Sequence, residues 1–297
     1  MAFHHLIRGW LLYAGKEQVL KAAGDAARQY LQNKEAAQSG GQSVPAQVGL
    51  VFALPQEMGC FEDRLNDMVR SRGDHLVAVQ GELSGCRVAA VQSGVGRKAA
   101  ARVTEALILG HRPAVVIAAG FCGGLDPALR RNHILLANEV VTEGGAEPVA
   151  VSISGQASQL DSLHVGRLLT VDRIIRTAEE KAALHKQTGA AAVDMETAAV
   201  LEMCRRHDVP CLSVRVVSDT SDETLPMEVF QLVQQKTTAA RLGAAVGAMF
   251  RRPGSIKDMY QLKENALIAA DTLAKFLEQV VAELCPAPPE EATGSIE

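Results

Sequence analysis

The chain has 297 residues, 47% of them apolar and only 22% charged, with a formal net charge of -4 and a pI near 6.1. This composition describes a globular protein with a sizeable core and excludes a disordered chain. It also provides no basic face for nucleic acid, and 4% aromatic residues supply no stacking platform, so the expected partner is a small neutral or weakly charged molecule. Six cysteines (Cys60, Cys86, Cys122, Cys204, Cys211, Cys285) are scattered without a CxxC pair, which reads as a reduced, cytoplasmic protein with no structural zinc and no metal site.

In chain order, the apolar stretch from Trp10 to Ala14 lies between Arg8 and Lys16, far short of the ~20 residues that cross a bilayer, and no cleavage site follows it. Glu17 to Ala37 has Val19, Leu20, Ala23, Ala27, Tyr30 and Leu31 on or near one helical face. It reads as a helix docked on the main body or on a partner subunit, with a membrane-surface role as the alternative. Gln38 to Pro45 is a flexible linker. Val48 to Leu54 predicts a buried strand, with a helix from Gln56 towards Val69. His75 to Glu82 and Arg87 to Gln92 predict neighbouring strands joined at Ser84-Gly85. Lys98 to Leu109 predicts a helix, and Ala114 to Ala119 and His133 to Val141 predict further strands. Helices follow over Glu179 to Lys186, Thr197 to His207, 227 to 250 and 259 to 283. Apolar strands alternating with helices imply a single α/β domain with a mixed, mostly buried central sheet flanked by helices. The division is then residues 1–46 as helix and linker, 47–284 as the catalytic domain, and 285–297 as a disordered acidic, Pro-rich tail.

Three places carry chemistry. Ser93-Gly94-Val95-Gly96-Arg97-Lys98-Ala99 follows a strand and opens a helix, which meets the loose GxGxxA pattern of dinucleotide-binding folds. Those folds place an acid after the next strand, and here that strand ends in Gly120-Phe121-Cys122-Gly123-Gly124 instead. Close backbone approach to a sugar, anion or water is the alternative, and a glycine turn with no ligand is the other. Val193-Asp194-Met195-Glu196 puts Asp194 and Glu196 at a strand end and helix start, where orphan N–H groups favour negative charge. Arg215-Val216-Val217-Ser218-Asp219 leads a buried strand into a carboxylate at its carboxyl end, the edge at which open α/β sheets bind ligands.

These segments, with Val48-Gly49-Leu50-Val51-Phe52-Ala53-Leu54-Pro55-Gln56-Glu57, stand in the order and approximate spacing of the purine nucleoside phosphorylase and nucleosidase superfamily. The chain resembles above all the 5'-methylthioadenosine/S-adenosylhomocysteine nucleosidases, over roughly residues 47 to 283 with an insertion near 227 to 255. The resemblance implies a nucleoside phosphorylase-like fold, a homodimer or higher homo-oligomer, no cofactor, and cleavage of the N-glycosidic bond of a purine nucleoside of adenine type. Breaking that bond leaves positive charge on the sugar and negative charge on the base, so two kinds of help are needed. Asp219 resembles the family's general acid towards purine N7; as a bare strand-end residue it also fits a helix N-cap. Glu57 resembles the glutamate that activates water, where phosphorylases carry glycine and arginine; its plain alternative is a solvated helix-start acid. Glu196 resembles the ribose-binding glutamate, its alternative being a first-turn acid. Met195 would pack on sugar or base, and Ile174 and Ile175 on the base. Gly94, Phe121 and Ser218 would complete the pocket. Arg215 would hold the acid-bearing loop or the ribose-side carboxylate, or be a structural ion pair.

Departures leave the substrate's 5' group open. Phe121 replaces a small polar residue, the segment between Val140 and Thr170 is short, and it lacks the aromatic loop that a neighbouring subunit lends to the 5' substituent. The insertion after Leu225 would suit a longer or more lipophilic group, futalosine-like or adenosyl-lipid. Arg97 and Lys98 keep phosphorolysis as the alternative reaction, and a non-catalytic nucleoside-binding protein is the alternative of another class.

Overall fold

The computed structural model describes residues 45–73, 76–144, 149–151, 158–160, 162–225 and 255–285. The helix expected over 17 to 37, most of the linker, the helix expected over 227 to 250 and the tail from 286 onward lie outside the described residues.

Among the described residues eleven strands form one mixed sheet. In chain order they are β1 (Val48–Phe52), β2 (Asn66–Arg72), β3 (Val77–Leu83), β4 (Cys86–Gln92), β5 (Val115–Gly124), β6 (Ile134–Thr142), β7 (Val149–Ala150), β8 (Ser158–Leu160), β9 (Leu163–Thr170), β10 (Ala192–Asp194) and β11 (Cys211–Asp219). The spatial order is β10-β9-β6-β11-β5-β1-β4-β3-β2, with β7 on β6 and β8 on β9. β1 is flanked in parallel by β4 and β5, and β11 runs parallel to β5. β10 also pairs antiparallel with the end of β5, so that half of the sheet closes on itself.

Helices cover both faces, and strand alternation assigns them. Leu50, Phe52, Ile117 and Val216 point to the face covered by α1 (Pro55–Glu62) and α5 (Ser255–Leu284). Val51, Ala118 and Val217 point to the face covered by α2 (Arg97–His111) and α4 (Thr197–Arg206). A third cluster lies under α3 (Ala178–Thr188), where Ile175 and Leu184 meet Leu125, Leu169 and Val193. In α5 the buried positions Ala270, Leu273, Ala274, Leu277 and Val281 recur at helical spacing, as an amphipathic helix requires.

Three expectations change. The helix expected towards Val69 stops at Glu62, and Asn66 to Arg72 form β2, an exposed edge strand hydrogen-bonded to β3. The strand expected over Ala114 to Ala119 runs on through its glycines to Gly124. The reading of six reduced thiols also fails: Cys86 of β4 and Cys285, just past α5, form a disulfide with Cα atoms 5.8 Å apart, while Cys60, Cys122, Cys204 and Cys211 are free. That removes the cysteine argument for a reducing compartment. No helix among the described residues is long and apolar enough to cross a membrane.

Because the disulfide ties the final helix to β4 across a separation of 199 residues, Cys285→Ser is expected to lower stability by about 2–4 kcal/mol in oxidising buffer. Denaturant midpoints check this: wild type should fall to the variant's value when reduced, and the variant should not respond to reductant.

Candidate functional site

The glycine run of β5 is the floor of the site. A Cβ added at Gly120 would lie 2.5 Å from Arg215 Nη1 and 2.8 Å from Glu57 Oε1; one at Gly123 would lie 3.2 Å from Asp219 Oδ2. Three charged side chains therefore rest directly on backbone that has no side chain of its own. Glu57, Asp194, Glu196, Arg215, Asp219 and Lys181 are all buried.

Glu57 is the third residue of α1, and its side chain turns back to the helix start. Oε2 accepts from the N–H groups of Ala53 at 2.9 Å and Leu54 at 2.7 Å, and Oε1 accepts from Phe121 N–H at 2.8 Å. Three of roughly four acceptor sites on the carboxylate are thus filled, which leaves one for a water. Burial raises its pKa above the ordinary value, against the lowering effect of these N–H groups and of Arg215. Phe121 contributes its backbone to Glu57, and its ring packs against the core under α1 and α5.

Asp194 and Glu196 divide the roles expected of them. Asp194 Oδ2 accepts from Thr197 N–H at 2.9 Å and from its hydroxyl at 2.5 Å, so it is the acid that caps α4. Glu196 makes no cap. Its Oε1 accepts from Gly96 N–H at 2.7 Å, across 100 residues of sequence, and joins the loop after β4 to the start of α4. Burial first, and then the charge of Asp194, push the Glu196 carboxyl up to about 8. Gly94 and Gly96 have φ of +80° and +99°, left-handed values that glycine adopts without strain. Gly94 N–H is bonded to Ala53 O, so this loop extends the β1–β4 pairing.

Arg215 pairs with Asp194 at 2.7 Å and donates to Thr197 Oγ1 at 2.6 Å. Its hydrogen bonds do not reach Asp219, and its charge also acts on Glu196 and Glu57. Asp219 accepts at Oδ1 from Ser218 Oγ at 2.7 Å and at Oδ2 from Lys181 Nζ at 2.6 Å. It caps no helix. Lys181 carries no sequence signal, since Glu179-Glu180-Lys181 reads as a solvated helix face. Ile175 is buried beneath α3, Met195 packs at the edge of the same cluster, and Ile174 is half-buried. At the rim, Arg97 Nε donates to Asp172 Oδ1 at 2.7 Å and a second guanidinium nitrogen reaches Oδ2. Among the described residues no group of three His, Cys, Asp or Glu side chains is arranged to hold a metal.

Buried acids gathered over the glycine end of β5, in a mixed and partly closed sheet, define an α/β protein of nucleoside phosphorylase type. A profile of the phosphorylase superfamily matches residues 47–249, and the chain belongs to that family. Among solved structures it is similar to the 5'-methylthioadenosine/S-adenosylhomocysteine nucleosidase of Helicobacter pylori, with 20% identity and a TM-score of 0.60 over 81% of this chain and 100% of that one. The corresponding enzyme of Neisseria meningitidis, in complex with methylthio-immucillin-A, is 22% identical with a TM-score of 0.57, covering 79% of this chain and 97% of that one. The futalosine hydrolase of Helicobacter pylori is 20% identical with a TM-score of 0.58, covering 80% and 97%.

The raised Glu196 carboxyl has a consequence for stability. Between the ordinary value of 4.5 and about 8 the folded protein holds a proton that the unfolded chain has lost, so this contribution is full below 4.5 and declines as pH rises through 8. Glu196→Gln is therefore expected to flatten the fall of Tm between pH 5 and pH 8.5, an interval assigned from the shift of this one group. Thermal melts of both proteins across that interval decide it; parallel curves would remove the proton from Glu196.

Proposed function

We propose that the protein hydrolyses the N-glycosidic bond of a purine nucleoside of adenine type and releases the free base. The observation that carries this reading is the state of the cations. Among the described residues only Lys181 and Arg215 are buried cations, and each is hydrogen-bonded to a carboxylate. Of the two candidates for phosphate beside the glycine loop, Arg97 is engaged with Asp172 at the exposed rim and Lys98 is exposed. What faces Glu57 is backbone N–H and one unfilled acceptor position, which suits a neutral water better than a phosphate dianion.

In this proposal Glu57 takes a proton from the water that attacks C1' of the ribose, and the electron pair of the C1'–N9 bond passes to the purine. Asp219, protonated in the reacting complex, gives that proton to N7, so the base leaves neutral and Asp219 is left as the carboxylate that Lys181 holds. Gly120 and Gly123 are three strand residues apart, roughly 10 Å, a spacing that leaves room for the water and the glycosidic unit between the two acids. Glu196, bonded to Gly96 through one oxygen, keeps the other for a ribose hydroxyl, and its carboxylate form opposes the positive charge that builds on the sugar. Met195 and Ile174 supply apolar surface. Ser218 orients the acid, and Gly94 brings backbone close to the ligand. The proposal extends to residues 47–284 as the catalytic unit, to a homo-oligomer, and to a cytoplasmic location.

Phosphorolysis is the competing reaction, and one assay separates the two. Purified protein incubated with a panel of purine nucleosides is expected to release base equally with and without phosphate, yielding free sugar. Glu57→Gln should lower kcat by roughly 100-fold or more while nucleoside binding stays near wild type. A phosphate requirement with formation of a sugar 1-phosphate, or full activity of Glu57→Gln, would overturn the assignment.

A further inference from the structure

Lys181 is, with Arg215, one of two buried cations among the described residues, and the proposed chemistry leaves it without a task. It sits in the first turn of α3, three residues before Leu184 on the helix's buried side, and its side chain has no exposed surface. All three ammonium protons are used: Nζ donates to Asp219 Oδ2 at 2.6 Å, to Thr220 O at 2.6 Å and to Glu223 O at 3.0 Å. The same atom thus grips the carboxyl and the chain immediately beyond it.

That grip falls where the backbone is least regular. The pairing of β11 with β5 shifts register between Val217 and Asp219, a bulge of the kind that re-aims a side chain at the end of a strand. The residues that follow form a turn closed by Glu223, which accepts from Thr220 N–H at 2.8 Å and is itself paired with Arg131 at 2.9 Å. Ser218 Oγ fixes Oδ1, and Lys181 fixes Oδ2 together with two carbonyls of the turn. Without the ammonium, Asp219 would keep only the Ser218 hydroxyl, Thr220 O would keep only Glu223 N–H at 3.2 Å, and Glu223 O would lose the ammonium as its donor.

Resting on the nucleosidase reading, we propose that Lys181 is the positioning residue of the acid: it holds the Asp219 carboxyl in the one orientation from which a proton reaches N7 of the leaving purine. It touches no reacting atom in this role and acts only through Asp219. Proton delivery is steeply sensitive to orientation, so the cost of losing Lys181 should appear in departure of the base and not in affinity for the nucleoside.

The test compares 5'-methylthioadenosine with its N7-methylated derivative, whose base already carries the positive charge and leaves neutral without an acid. Lys181→Met is expected to lower kcat about 100-fold on the parent nucleoside with KM little changed, and to leave the methylated nucleoside nearly at wild-type rate. Equal losses on both substrates would show a structural role, and no loss on the parent would show no role; either overturns the proposal. Because Lys181→Met leaves a buried carboxylate unpaired and is at risk of not folding, the Lys181→Met/Asp219→Asn double variant, which removes both charges, is compared with Asp219→Asn alone. Equal activity of these two supports action through Asp219, and a further loss in the double variant overturns it. A wild type that releases base from neither nucleoside would overturn the nucleosidase reading and this inference with it, whereas an active wild type with any of the contrary variant results overturns this inference alone.

Discussion

A guanidinium shut away from water must be answered by charge and hydrogen bonds, and the site is organised around that requirement at Arg215. The side chain leaves the middle of β11, in register with Gly120 of β5, and crosses the glycine to reach Asp194 and Thr197 at the start of α4. Removing one partner of such a pair typically costs 3–5 kcal/mol, because the other is left as an isolated buried charge. The pair therefore fixes the end of β10 and the first turn of α4 against the centre of the sheet. Glu196, two residues after Asp194, inherits its position from this anchor and needs no cap interaction of its own.

The glycines of β5 follow from the same constraint. Any side chain at position 120 would meet Arg215 and Glu57 at less than van der Waals distance, so backbone alone can support them. Antiparallel pairing with β10 then brings Asp194 back along β5 from Gly124 towards the level of Gly120. Acids from β1–α1, β10–α4 and β11 converge although their strands do not all run the same way. The rule that ligands sit at the carboxyl edge of a parallel sheet accounts for Glu57 and Asp219. Closure of the sheet accounts for Glu196.

Much of this frame was legible in the residues, and the failures have physical reasons. β1, β5 and β11 are apolar runs buried on both faces, and such runs announce themselves. β2 does not: all of Asn66 to Arg72 are exposed, so the strand exists through its hydrogen bonds to β3 and carries no hydrophobic period. β9 was unread because His164 and Arg167 interrupt it, the latter paired with Glu139. The Cys86–Cys285 bond joins residues with no local pattern between them. Glu57, Glu196 and Asp219 stood out through motif order, but their partners did not, since a hydrogen bond from Gly96 to Glu196 or from Lys181 to Asp219 is a property of the folded chain alone.

For Glu57 the plain reading and the proposed role are not exclusive. As the third residue of a helix that begins with Pro55, it reaches back to Leu54 N–H in the manner of half a capping box, which is a stability role. The same contacts, with Phe121 N–H on the other oxygen, lock the carboxylate rotamer and leave a single direction open. A carboxylate placed for water activation needs that preorganisation, because an oxygen free to rotate would lose the geometry that makes proton transfer effective. On the proposed function, capping and chemistry would be one set of hydrogen bonds. Asp219 meets the same need by a different route: no helix starts at its position, so its orientation must come from a neighbouring side chain and a buried ammonium. The two acids thus differ in what restrains them, Glu57 by backbone that the fold supplies in any case and Asp219 by a lysine brought in from α3.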